Sequence, residues 1–157
     1  MDEQALRSVV NEVVRQVTGT LTLETARRLS EQIRQEAARI GVNAVVAIAD
    51  RAGHPLLVEC MDDAYIASYD IALQKAFTVT ALKMSTSTLK PLAQPGGSLY
   101  GIQFTNQGKI VIFGGGEPLK IGDAIVGGLG VSGGSEEQDT ALAAYGKAIF
   151  EKSGGTV

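Results

Sequence analysis

The chain of 157 residues predicts one α+β domain, an antiparallel sheet of about five strands with helices packed on it, preceded by a separate amphipathic helix. Three observations lead there. Apolar residues recur at helical spacing in four stretches, near 6–17, 22–41, 71–82 and 135–152. Apolar runs of strand length lie between them and are joined by Asp- and Gly-containing turns. Glycine supplies 19 residues, 13 of them between Gly96 and Gly134, where short strands and turns alternate. The resulting order is αα-ββ-αα-βββ-α.

In the first segment Leu6, Val9, Val10, Val13, Val14 and Val17 form one narrow apolar stripe, with Asp2, Glu3, Arg7, Glu12 and Arg15 elsewhere on the helix. Thr18, Gly19 and Thr20 break it, which sets residues 1–18 apart from a domain spanning 21–153. A lone helix of this length is marginal in water, so the stripe needs a surface: its own domain or a partner. The second helix has Thr22 as N-cap and Gly41 as terminator, with Leu23, Ala26, Leu29, Ile33, Ala37 and Ile40 on one face. "NAVVAIADRAGHPLLVECM" reads as a β-hairpin turned at Asp50 to Gly53. Ile71, Lys75, Thr78 and Leu82 mark a third helix, capped by Ser68 or Asp70, and "STSTLKPLAQPGG" a shorter one. Strands are expected at 110–113, 118–121 and 124–131, connected by turns at 114–117 and 122–123. Ser135 and Gln138 form the capping box of the last helix.

Composition narrows the function. Hydrophobic residues make up 45% and charged residues 20%, with a net charge of −3 and no basic cluster. A nucleic-acid groove or an anionic membrane surface is therefore excluded as partner. Cys60 is alone and neither a CxxC nor a Cys/His zinc pattern occurs. The N-terminus is acidic, lacks a continuous apolar run and does not read as a signal peptide, and no stretch is long enough to span a bilayer. The expected location is cytoplasmic.

Gly128, Gly130 and Gly133 spell G-x-G-x-x-G, the pattern of dinucleotide sites. That fingerprint needs a parallel strand after the following helix, yet only five residues follow Lys152. Glu136, Glu137 and Asp139 also occupy the start of that helix and would repel a phosphate. The dinucleotide reading fails. Gly127, Gly128 and Gly130 in a strand point instead to close packing against another backbone, or to a wall against which a flat ligand lies. Gly114, Gly115 and Gly116 fit a hairpin turn needing positive φ, with a pocket-lining role as the functional alternative.

The D-x-x-G-H turn at Asp50 to His54, the D-I-A-x-x-K-A segment at Asp70 to Ala76, the G-G-x-P turn at Gly115 to Pro118, and G-V-S-G at Gly130 to Gly133 followed by Asp139 carry a resemblance. From about Leu21 to Glu151 the chain resembles the GlcG/HbpS-like family, which includes the C-terminal domain of PduO proteins. The resemblance implies an α+β domain that assembles into homo-oligomers from dimers to octamers. It also implies binding of haem or a related tetrapyrrole, with a corrinoid as the second choice. The N-terminal segment resembles in pattern the short amphipathic peptides that dock cargo in bacterial microcompartments, which would make a shell protein the partner of residues 1–17.

His54, the only imidazole, is the expected iron ligand, with a second ligand supplied by another subunit; the alternative is a surface turn residue. Cys60, Met61, Tyr65 and Tyr69 lie just beyond the hairpin, and Tyr69 is kept as a cofactor contact, while Cys60 and Met61 are expected in the core. Lys75, among Ile71, Ala72, Ala76 and Val79, is either a buried ion-pair partner of Asp70 or Asp63, or an anion holder for a propionate. Gly115 and Gly116 complete the expected cofactor set. Asp62 and Asp63 read as a solvated turn. No Ser-His-Asp or Cys-His arrangement is present, so an enzyme would have to act on a small metabolite through Lys75 and the glycine-rich wall. A purely structural or interaction protein is the third reading.

Overall fold

A computed structural model describes residues 2–157, with side chains described for all of these except 15–18. Val17 of the N-terminal stripe therefore lies outside the described side chains. The elements are α1 (Glu3–Thr18), α2 (Leu23–Arg39), β1 (Val45–Asp50), β2 (Pro55–Cys60), α3 (Ile66–Leu82), α4 (Thr86–Leu92), β3 (Gly116–Ile121), β4 (Ala124–Ser132) and α5 (Glu136–Lys152). Two short 3₁₀ turns, Ile102–Phe104 and Asn106–Gly108, interrupt the long connection before β3.

Local chemistry sets the helix ends. Thr22 caps α2 by accepting from the Thr25 N–H, and Ser135 and Gln138 close a reciprocal capping box on α5. Helix α3 departs from expectation at its start: the N-cap is Tyr65, without a side-chain cap, and Ser68 and Asp70 lie inside the helix. The Ser68 hydroxyl is instead bonded to Ser132 Oγ, 3.1 Å away.

The sheet has four strands in the order β2-β1-β4-β3, all antiparallel. The strand expected at 110–113 does not join it. Ile110 is buried and the Val111 N–H donates to Thr78 Oγ1 at 3.0 Å, so this segment is bonded to α3 rather than to a strand. In consequence Gly114 and Gly115 sit in the loop leading into β3 instead of forming a hairpin turn.

The strand alternation assigns the two faces. Val46, Ile48, Leu129 and Val131 meet Ala26, Leu29, Ile33, Leu142 and Phe150 of α2 and α5 in the main core. On the other face Val45, Ala47 and Ala49 meet Ala72 and Ala76 of α3. Every contributor to that second layer is small, which brings the helix axis close to the sheet. Gly128 and Gly130 are the closest points: a Cβ there would stand 2.3 Å from the Ala76 carbonyl oxygen and 2.0 Å from that of Ala72. The glycines of β4 are bare for the sake of α3. The helix backbone covers them, and no slot for a flat ligand exists on that strand.

Helix α1 keeps its stripe, with Leu6, Val9, Val10 and Val13 about half exposed. A Glu3–Arg7 pair at 2.8 Å supports its first turn. No helix among the described residues is long and apolar enough to cross a membrane.

Replacing Gly130 with Ala drives a methyl group into the α3 backbone, which cannot yield as a side chain can. The expected loss is about 3 kcal/mol or more, at the upper end of overpacking costs. Gly41→Ala, at φ +74° with open space around it, is expected to lose only about 1–2 kcal/mol of conformational strain. Urea unfolding of the two variants checks the contrast.

Candidate functional site

The residues singled out in the sequence fall into two separate places. The first is the β1–β2 turn. Asp50 Oδ1 accepts from the Ala52 N–H at 2.9 Å and the His54 N–H at 3.0 Å, while the Gly53 N–H donates to the Asp50 carbonyl oxygen at 3.0 Å. Gly53 supplies the positive φ, +80°, that this turn requires. The result is a rigid loop holding His54 in solvent, its side chain 81% exposed and its Nδ1 3.8 Å from Asp50 Oδ2. That distance is too long for a hydrogen bond but turns Nδ1 towards the carboxylate.

Beside the imidazole lies a cleft of about 300 Å³ lined by Gly53, Pro55, Leu73, Gln74, Phe77 and Lys109, along with His54 itself. Phe77 packs under the turn: a Cβ on Gly53 would come within 2.9 Å of its ring. Lys109 Nζ stands 5.6 Å from the centre of that ring, a cation–π position. The cleft thus joins an imidazole, an apolar wall and one half-buried cation.

The second place is the junction of α3, β3 and α5. Lys75 is wholly buried, and its Nζ donates to the Val131 carbonyl oxygen at 2.8 Å and pairs with Asp139 Oδ2 at 3.4 Å, with the Phe113 ring centre 5.1 Å away. Its ion-pair partner is therefore Asp139, rather than Asp70 or Asp63. Burial pushes the ammonium below the ordinary lysine range against the pull of Asp139. Asp139 also accepts from the Gly134 N–H at 2.8 Å, and burial raises its carboxyl above the usual range despite these partners.

The run at Gly114 to Gly116 makes room for this junction. A Cβ on Gly115 would meet Lys75 Nζ at 2.6 Å. The Gly116 N–H donates to Thr86 Oγ1 at 2.9 Å, and the Gly114 N–H to Glu136 Oε1 at 3.0 Å, with Lys90 Nζ on Glu136 Oε2 at 2.6 Å. Gly115 and Gly116 are buried against their own neighbours. Lys75, with its ammonium spent on Asp139 and Val131, is likewise withdrawn from any surface-bound propionate. Tyr69 lies half exposed on α3. Cys60, expected in the core, is exposed at the end of the edge strand β2, whereas Met61 packs against the core and its Sδ accepts from the Ala44 N–H at 3.3 Å.

Sequence reasoning missed Phe77, Gln74, Lys109 and Asp139. Leu73 and Phe77 are one helical turn apart and so share a face of α3, a signal present in the sequence. Nothing local pointed to Lys109, which reaches the cleft from the long connection before β3.

The model of the family described as "Haem degrading protein HbpS-like" matches residues 21–148. An uncharacterized 15.0 kDa protein from the dhaT-dhaS intergenic region of Citrobacter freundii is 44% identical over 128 residues, covering 82% of this chain and 90% of that protein. The Citrobacter freundii corrinoid adenosyltransferase PduO is 36% identical over 141 residues, covering 90% of this chain but only 42% of the longer protein. Among solved structures, a PduOC:heme complex superposes with a TM-score of 0.79 at 38% identity, covering 82% of this chain and 94% of that one. The chain belongs to the HbpS-like family, and its α+β fold is that of its relatives.

Lys75→Met strands Asp139 as a buried charge without its counter-ion, at an expected cost of about 3–5 kcal/mol near neutral pH. The sign of the pH dependence follows from Asp139. Its carboxyl is already raised in the folded state and rises further without Lys75, so protonation relieves the variant. The stability gap from the wild type is therefore expected to be full above the raised value and to shrink as pH falls through it. Denaturant midpoints measured from neutral to acidic pH check this.

Proposed function

We propose that the chain binds haem at the cleft beside the β1–β2 turn, with His54 as an axial ligand of the iron. One observation carries the reading: the lone imidazole is held out in solvent by an ordered turn, beside an apolar wall and a cation. The named haem complex of a relative at 38% identity supports it. The donor set fits. A neutral imidazole is a strong haem ligand, Leu73 and Phe77 offer a face for the macrocycle, and Lys109 a cation for a propionate. Bound there, haem would supply a redox-active iron, while His54 holds it and Asp50 orients the ring. Tyr69 retains its proposed place as a peripheral contact. A corrinoid is the second candidate, because one relative is named a corrinoid adenosyltransferase.

The cleft's 300 Å³ lies at the bottom of the range for small-molecule pockets, so one protomer covers only part of a macrocycle. The proposal accordingly includes a homo-oligomer, a second copy closing over the exposed face and supplying the other ligand. It also includes an N-terminal address: the exposed valine stripe of α1 docks on a shell protein of a bacterial microcompartment in the cytoplasm, as an amphipathic helix docks in a groove.

Hemin titration is the test. Wild type is expected to give a saturable, shifted Soret band with the loaded species a dimer or larger. His54→Ala is expected to weaken binding by about tenfold or more and Lys109→Glu by about threefold. Unchanged spectra in His54→Ala would remove it as a ligand, and saturable cobalamin binding without hemin binding would favour the corrinoid. Removing residues 1–18 is expected to leave the melting temperature and hemin affinity unchanged while abolishing co-sedimentation with shell protein; retained co-sedimentation would end the address.

A further inference from the structure

The haem reading leaves a second built region unused. Where β4 runs through Ser132, Gly133 and Gly134 into α5, a cleft of about 300 Å³ opens against the first turns of α3. A cleft of about 430 Å³ adjoins it, and the two share Tyr65, Gly133 and Gly134. Neither has a lining residue in common with the cleft at His54.

The polar groups here are of a particular kind. Ser68 and Ser132, both buried, present hydroxyls that can donate and accept. Asp139 lies beside them, and Asn43 and Gln138 face the adjoining cleft. Two of the three carboxylates in the lining are already matched, Asp139 by Lys75 at 3.4 Å and Glu136 by Lys90 at 2.6 Å, while the third, Asp63, is exposed to solvent at the larger cleft. No cation is left in the lining to hold an anion, and the paired carboxylates gain little from an ammonium. Their spare lone pairs still accept O–H donors. Apolar surface completes the clefts: Ile71 and Phe113 in the smaller one, and the 72% exposed Tyr65 at the junction of both. A hydroxyl-accepting lining without a cation, with an aromatic ring where the two clefts meet, suits a ligand that offers O–H groups and a C–H face together.

We propose that the two adjoining clefts bind a small neutral polyhydroxylated molecule, an acyclic polyol or a monosaccharide, packed on Tyr65 with its hydroxyls on Ser68, Ser132 and Asp139 at one end and on Asn43 and Gln138 at the other. This goes beyond the haem reading and does not depend on it.

Amide NMR shifts of the full chain test it, with erythritol and D-glucose as the polyol probes and n-butylammonium and butyrate as the charged ones. At least one polyol is expected to give saturable shifts at residues 132–135 and 65–68, with neither ion doing so. Tyr65→Ala, which removes an exposed ring, and Ser68→Val, which fills the floor, are each expected to weaken that binding about tenfold. Hemin titration of the same variants is expected to match wild type. Absence of saturable shifts with both polyols, tighter binding of either ion, or full affinity in Tyr65→Ala would overturn the proposal. Should Ser68→Val not fold, Tyr65→Ala carries the test alone. Because hemin binding is read on the same samples, failure here and failure of the haem reading are separately visible.

Discussion

Helix α3 can lie on the sheet only because Gly128 and Gly130 present no Cβ where the Ala72 and Ala76 carbonyls descend. With side chains at both positions the helix would have to lift away, since backbone cannot rotate out of a clash. The small residues Ala47 and Ala49 on β1 extend the same close approach across the neighbouring strand. Once α3 is set down, its length distributes the chemistry. Its first turns bring Ser68 to Ser132, its middle buries Lys75 under Asp139, and its next turn places Phe77 beneath the β1–β2 turn.

The Lys75–Asp139 pair then fastens what α3 supports. One ammonium touches the end of β4 through Val131, the N-terminal turn of α5 through Asp139, and the loop into β3 through Gly115. Buried pairs contribute little net stability compared with a well-packed apolar alternative, but breaking one is costly. Such a contact therefore specifies the arrangement of three elements more than it stabilises any one of them. It also engages the ammonium of the lysine in the middle of an otherwise apolar helix within the protein itself.

Much of the architecture was legible in the chain itself. Periodicity located four of the five α-helices, the caps at Thr22 and Ser135 fixed the starts of α2 and α5, and the Asp50 to Gly53 turn located the β1–β2 hairpin, because these signals are local; α3 starts at Ile66, ahead of both residues expected to cap it. The segment at 110–113 was misread for a physical reason: an apolar β-branched run looks the same whether its N–H groups meet a strand or, as at Val111, a threonine hydroxyl on a helix. The glycines of β4 were legible as a close approach but not as to what approaches, since that partner lies some 50 residues earlier in the chain. The site was half legible. A lone histidine after a D-x-x-G turn stood out, whereas Lys109 and Asp139 acquire their meaning only from tertiary contacts.

The proposed haem surface at His54 lies apart from the glycine strand, whose bare positions are covered by α3. A crystal structure of the hemin-loaded protein tests this most directly. The account expects iron bonded to His54 Nε2, with the α3 backbone still seated on Gly128 and Gly130. A macrocycle lying against β4 with α3 displaced, or iron bonded elsewhere with His54 free in solvent, would contradict it.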